Sequence, residues 1–116
     1  MTAKNYTEDI ILVELPAEPD IRAELDHVMD LIGQGRTCDC FVDFSSVNII
    51  SSMALSGFLQ LRKLIKNAGR RLIFYNASNI TKDIFRVTCL DAVFEYADDI
   101  NAAEEMLTSQ VLMAQV

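Results

Sequence analysis

Two adjacent hydroxyls, Ser51 and Ser52, stand where a loop gives way to a helix-periodic apolar run. A serine at such a junction can do one of two things. As a helix cap it accepts a backbone N–H and adds about 1 kcal/mol of stability. As a modification site it presents its hydroxyl beside first-turn amides and the positive end of a helix dipole, a natural seat for an anion. A phosphoryl group there brings roughly −1.5 to −2 charges. Such a modification leaves the fold intact and changes what docks on that edge.

Other chemistries lack a complete set of residues. A nucleophilic serine needs a base within hydrogen-bond reach and a third group to orient that base. Ser56-Gly57 has no glycine two residues before its serine, and the single histidine, His27, belongs to another helix. With four glycines in the chain there is neither a G-x-G-x-x-G nor a phosphate-binding loop. Cys38-x-Cys40 looks like half of a metal site, but no second cysteine pair completes it. In an extended segment both thiols point to one face, where cysteine acts as a small hydrophobe. The expectation is a binding module rather than an enzyme, with no metal and no cofactor.

These residues are carried by a regular alternation of elements. Residues 10–15 are an apolar run that reads as a buried strand. Pro16 to Pro19 interrupt it, and Asp20 is placed to cap a helix with Ile21, Leu25, Val28, Met29 and Ile32 on one face. His27 falls on the solvent side of that helix, and Gly33 and Gly35 end it. Residues 38–44 read as a second strand. The helix opened by Ser51 or Ser52 spans about 52–67, with Ala54, Leu55, Phe58, Leu61 and Ile65 as its stripe, widened by Leu59 and Leu64. Ser56, Gln60, Lys63 and Asn67 make its polar face, and Gly69 stops it. A third strand follows at 72–75, and Ser78 caps a helix carrying Ile80, Ile84 and Val87. Val93 and Phe94 suggest a last short strand. Asp98 or Asp99 caps a C-terminal helix with Ile100, Ala103, Met106 and Leu107 inward, fraying from Gln110 onward. Strands alternating with amphipathic helices specify an α/β domain with largely parallel strands.

A chain of 116 residues, 51% hydrophobic and 23% charged, makes one globular domain over 1–116 with its core at about 10–108. Seventeen acidic against ten basic residues give a net charge of −7, which repels nucleic acid on average. No apolar run approaches the ~18 residues of a membrane span, and the N-terminus lacks a basic-then-apolar signal pattern. The odd cysteine set, Cys38, Cys40 and Cys89, fits reduced thiols. A cytoplasmic protein without membrane insertion is expected.

At the junction the sequence resembles the STAS-domain family, the anti-sigma factor antagonists of bacterial partner switching. The family pattern is a strand ending Asp-Leu-Ser-x-Val, then a short gap, then Asp-Ser-Ser/Thr-Gly-Leu opening a helix. Asp43-Phe44-Ser45-Ser46-Val47 matches the first part, and Ser51-Ser52-Met53-Ala54-Leu55 falls on the second without a gap. Leu15-Pro16-Ala17-Glu18-Pro19-Asp20 resembles the family's Leu-x-Gly-Glu-Leu/Ile-Asp loop, and Gly69-Arg70-Arg71-Leu72 its small-basic turn into a strand. Residues 84–94, with Thr88-Cys89-Leu90 and Val93-Phe94, look like its helix ending Thr-Gly-Leu-x-x-Val-Phe.

The resemblance implies a small mixed, largely parallel sheet flanked by about four helices, with the first strand at one edge. It also implies a protein that captures an anti-sigma factor, often itself the serine kinase, and is reset by a serine phosphatase. Carried over by position, the phosphoacceptor is Ser52, with Ser51 as the alternative. Ser51 stands where the family has aspartate, Met53 where it has Ser or Thr, and Ala54 where it has Gly. These departures motivate a second reading, a phosphorylation-independent STAS scaffold or a subunit of a signalling or transporter assembly. With the 16–20 loop beside the second helix, as in the family, Glu18 and Asp20 form an acidic rim. Glu18, Asp20, Ser52, Met53 and Ser56 are then the candidate partner-binding residues; Asp20 as a plain cap and Met53 as plain core are the alternatives. Arg62, Lys63, Lys66, Arg70 and Arg71 make a basic cluster, read as a solvated face complementing the helix C-terminus or as a partner contact.

Overall fold

The structure, a computed structural model, describes residues 3–7, 9–34 and 37–114. Three apolar runs form the centre of the sheet: β2 (Ile10–Glu14), β3 (Asp39–Asp43) and β4 (Leu72–Tyr75). They pair in parallel, Ile10–Glu14 against Asp39–Asp43 and Cys40–Asp43 against Leu72–Tyr75. On one side β4 pairs in parallel with β5 (Glu95–Ala97). On the other, β1 (Ala3–Thr7) pairs antiparallel with β2, giving the order β1-β2-β3-β4-β5. The sheet is therefore mixed and largely parallel, as the resemblance implies. Its edge is held by β1, a strand that sequence periodicity did not reveal.

Four helices cover the sheet. α1 (Ile21–Gly33), α2 (Ser52–Asn67) and α3 (Asn79–Val87) share one face, and α4 (Ile100–Ala114) lies on the other. Alternate strand residues separate two cores, because successive side chains in a strand point to opposite faces. Cys38, Cys40, Val42 and Phe44 join Phe58, Phe74, Phe85 and Phe94 under the three helices. Leu12, Phe41, Ile73 and Tyr75 lie under α4 with Ala103. The inward set on α4 is the expected one: Ala103 is buried, and Ile100, Met106 and Leu107 pack against that core. Asp99 is its cap, accepting the Ala102 amide at 2.8 Å.

Several local expectations are corrected. The last strand is Glu95–Ala97 rather than Val93–Phe94; Phe94 instead drops into the three-helix core, its ring centroid 4.7 Å from that of Phe74. Leu59 and Leu64 do not widen the α2 stripe but are exposed, while Gly57 is buried. On α3 the buried pair is Thr81 and Phe85, and Ile80 and Val87 are 64% and 81% exposed. Asp20 makes no side-chain cap bond, because its backbone is already helical (φ −90°, ψ −3°) and lacks the extended geometry of a capping residue. His27 is half-buried rather than on the solvent side. Gly33 is the last residue of α1, and Gly35 lies outside the described residues. α4 continues through Gln110 to Ala114, and the final two residues lie outside the described set.

Candidate functional site

The three central strands end side by side, Glu14 opposite Asp43 and Asp43 opposite Tyr75. The ladder runs one residue further, with the Leu15 amide donating to the Asp43 carbonyl (3.1 Å) and the Phe44 amide to Tyr75 (3.0 Å). Asp43 then fastens two of the outgoing loops. Its Oδ1 accepts from the Ser45 amide at 2.9 Å and from Asn76 Nδ2 at 3.3 Å. Asn76 sits at φ 58°, a left-handed position that asparagine tolerates well. The edge is acidic: burial pushes the Tyr75 phenol up to about 12, and the charges of Asp43 and Glu14 add to that.

At the start of α2 the two serines have separate positions. Ser51 is the cap, with extended backbone (φ −75°, ψ 162°) and its Oγ accepting the Ala54 amide at 3.1 Å. Ser52 is the first helical residue and is exposed. Among the described residues its hydroxyl has no hydrogen-bond partner. The helix has no acidic residue in its own first turn. Glu18, from the β2–α1 loop, supplies one: its Oε2 accepts the Ser51 backbone N–H. A carboxylate at a helix N-terminus is stabilised by the dipole, so this bond fastens the loop to α2. Glu18 thus stands beside Ser52, whereas Asp20, at the start of α1, is exposed.

Arg22 on α1 cross-links the two helices. Its Nη1 donates to the Met53 carbonyl (3.0 Å), its Nη2 to Gln60 Oε1 (3.2 Å) and its Nε to Asp26 (2.9 Å). Gly57 permits the approach: a Cβ there would lie 2.9 Å from Leu25 Cδ1 and 3.1 Å from Arg22 Cδ. Met53 itself is 64% exposed, and Ile49 in the preceding loop is 70% exposed. Ser56 is also exposed, one turn beyond Ser52.

Sequence reasoning missed Arg22, Gly57 and Ile49. Arg22 fell off the apolar face of α1, and only its contact with a second helix gives it a role. Gly57 carried a usable signal, since a glycine inside a helix costs about 1 kcal/mol relative to alanine and needs a packing reason. Ile49 gave no such signal, because Val47 and Ile50 share its loop and only the fold shows that Val47 is buried while Ile49 is exposed.

The basic cluster departs from a simple solvated face. Arg70 pairs with Asp39 through Nε and Nη2, both at 3.2 Å, and donates to the Asp9 carbonyl. Arg71 pairs with Glu95 and donates to the Met106 carbonyl at 3.1 Å. Arg62 Nε donates to the Val93 carbonyl at 2.8 Å. Only Lys63 and Lys66 keep the expected exposed character.

The family model of the STAS domain matches residues 9–103. A Thermotoga maritima structure described as an anti-sigma factor antagonist is 18% identical, with a TM-score of 0.77 over 90% of this chain and 91% of that one. A STAS-domain protein of Planctomyces limnophilus is 13% identical, with a TM-score of 0.74 over 87% and 93%. Bacillus SpoIIAA in its unphosphorylated form, an anti-sigma factor antagonist, is 14% identical, with a TM-score of 0.74 over 91% and 95%. At these identities the likeness is one of fold. No curated protein sequence matches the chain significantly.

Proposed function

The chain belongs to the STAS-domain family, and on that premise we propose that it is a non-enzymatic anti-sigma factor antagonist switched by phosphorylation of Ser52. One observation carries the reading: Ser52 is exposed at the first position of α2 with no hydrogen-bond partner among the described residues, while its neighbour Ser51 takes the capping work. A group added at Ser52 therefore disturbs no cap. Met53 and Ile49 give a partner apolar surface, and Glu18, Asp20 and Ser56 its polar rim. The partners are an anti-sigma factor that doubles as serine kinase, and a serine phosphatase, all in the cytoplasm.

The phosphoryl group works here by repulsion. It adds roughly −1.5 to −2 charges next to the Glu18 carboxylate, on an edge that already carries Asp43 and Glu14. A partner surface matched to the unmodified edge then meets like or excess charge. Titration calorimetry with an anti-sigma kinase tests this. Ser52→Asp weakens binding by about tenfold or more while the melting curve is preserved; equal affinity of both forms overturns the switch.

A second reading, the phosphorylation-independent scaffold, is favoured by one specific contact. The Ser51 amide, one of the donors a phosphate would use, is already taken by Glu18. Under this reading the chain from its native host carries no phosphate on residues 44–62, and it purifies in a stable assembly whatever the growth condition.

A further inference from the structure

At the far end of α2, remote from Ser52, a cleft of about 170 Å³ opens between the last turns of α2, the turn into β4 and the segment leading to β5. Four cations line it, Arg62, Lys66, Arg70 and Arg71, against one carboxylate, Glu95. Its floor is apolar, made by Ile65, Leu72, Val93 and Phe94.

The cations fall into two kinds. Arg70 and Arg71 are held by Asp39 and Glu95 and form fixed walls. Arg62 is anchored only through Nε, to the Val93 carbonyl, and is half-buried. Among the described residues, its two terminal nitrogens and the Lys66 ammonium have no hydrogen-bond or ion-pair partner. Arg62 and Lys66 lie four residues apart on one helix, a spacing that puts side chains on the same face. The Nε bond orients the Arg62 guanidinium in advance, which lowers the ordering cost of a further contact. Two uncompensated positive groups thus flank an apolar floor, in a chain whose net charge is −7.

Size decides the ligand class. At roughly 30 Å³ per water the cleft holds the volume of about five or six waters, well below the ~300 Å³ at which pockets for drug-sized ligands begin. A nucleotide would overhang it and leave most of its body in solvent. We propose that this cleft binds a small organic anion, one carboxylate or phosphate monoester on an apolar body about one ring in size. The head lies between Arg62 and Lys66 and the body on Leu72 and Phe94.

The test is an amide-resolved NMR titration of the full chain with phenyl phosphate, benzoate and inorganic phosphate. The expected result is a saturable shift of the Leu72 and 93–95 amides by phenyl phosphate or benzoate, the better binder identifying the head group. Inorganic phosphate binds at least about fivefold more weakly, since it cannot use the floor. Lys66→Gln, at an exposed side chain that leaves the fold intact, weakens binding about fivefold, the size of one partly exposed charge contact. No saturable shift at about 10 mM, ten times a Kd of about 1 mM, overturns the proposal. So does equal binding by inorganic phosphate, or affinity unchanged in Lys66→Gln.

Discussion

α2 and α3 are built with the same ends on the same face of the sheet, and only one of them carries the candidate site. Each starts with a serine cap: Ser51 accepts the Ala54 amide and Ser78 the Thr81 amide. Each closes with the same paired bonds beyond its last turn. Gly69 and Arg70 donate to Lys66 and Ile65, as Cys89 and Leu90 donate to Arg86 and Phe85. What differs is the residue after the cap and what meets it. In α2 this is an exposed Ser52 with the Glu18 carboxylate on the neighbouring amide; in α3 it is Asn79, with no acid in the first turn. The cap serine is architecture in both helices, and α3 acts as an internal control for everything in α2 that is only a helix start.

The C-terminal ends give the largest expected effect. Gly69 has φ 74°, and an added Cβ would meet nothing within 4 Å, so any cost of Gly69→Ala is backbone strain alone. It destabilises by about 1–2 kcal/mol, read from denaturant midpoints. An unchanged midpoint would mean that the α2 terminus relaxes out of the left-handed region.

The caps come next. Ser51→Ala and Ser78→Ala each cost about 1 kcal/mol, and Ser78→Ala costs the more. Its Oγ also donates to Thr81 Oγ1 at 3.2 Å, and that hydroxyl is fully buried against the Val47 carbonyl. If the order reverses, Ser51 has a role beyond capping.

Cys89 is the mirror case of Gly69. It occupies the left-handed position of α3 at φ 62° with an exposed side chain, at the place where the family pattern has glycine. Cys89→Gly therefore stabilises, by about 0.5 kcal/mol. The entropy that glycine adds to the unfolded chain offsets part of the strain relieved. A thermal melt that falls instead would show the thiol making a stabilising contact.

The same pair of helices shows what periodicity can reveal. The α2 stripe was legible because its apolar residues recur at three and four and the buried ones, Ala54, Phe58, Leu61 and Ile65, are among them. In α3 the apolar arc runs from Ile80 and Val87 through Ile84 to Phe85, and the sheet covers only one side of it. Periodicity finds the arc, not which part of it faces the core. β1 was illegible for a related reason. Ala3–Thr7 has no apolar alternation, and it joins the sheet through backbone pairing with β2. At the site, the serine junction was visible in the residue types, but the Glu18–Ser51 and Arg22–Met53 contacts join segments more than thirty residues apart. Glu18 entered the reading by family position, and its bond to the cap amide is a fact of the fold.

The smallest effect separates the helices most sharply. Aspartate at the first position of a helix gains roughly 0.3–0.5 kcal/mol from the dipole when nothing else occupies that end. Asn79→Asp meets that condition, because α3 has no acid in its first turn. Ser52→Asp does not, since the new carboxylate shares the α2 terminus with Glu18. The expected outcome is a slight gain in stability for Asn79→Asp and none for Ser52→Asp, with the α2 gain appearing once Glu18→Gln removes the competing charge. Denaturation of Asn79→Asp, Ser52→Asp, Glu18→Gln and the Glu18→Gln/Ser52→Asp double variant at low ionic strength, where a surface charge effect is least screened, makes the comparison. Equal gains at both helices would mean that Glu18 exerts no field on Ser52, and the proposed repulsion would lose its source.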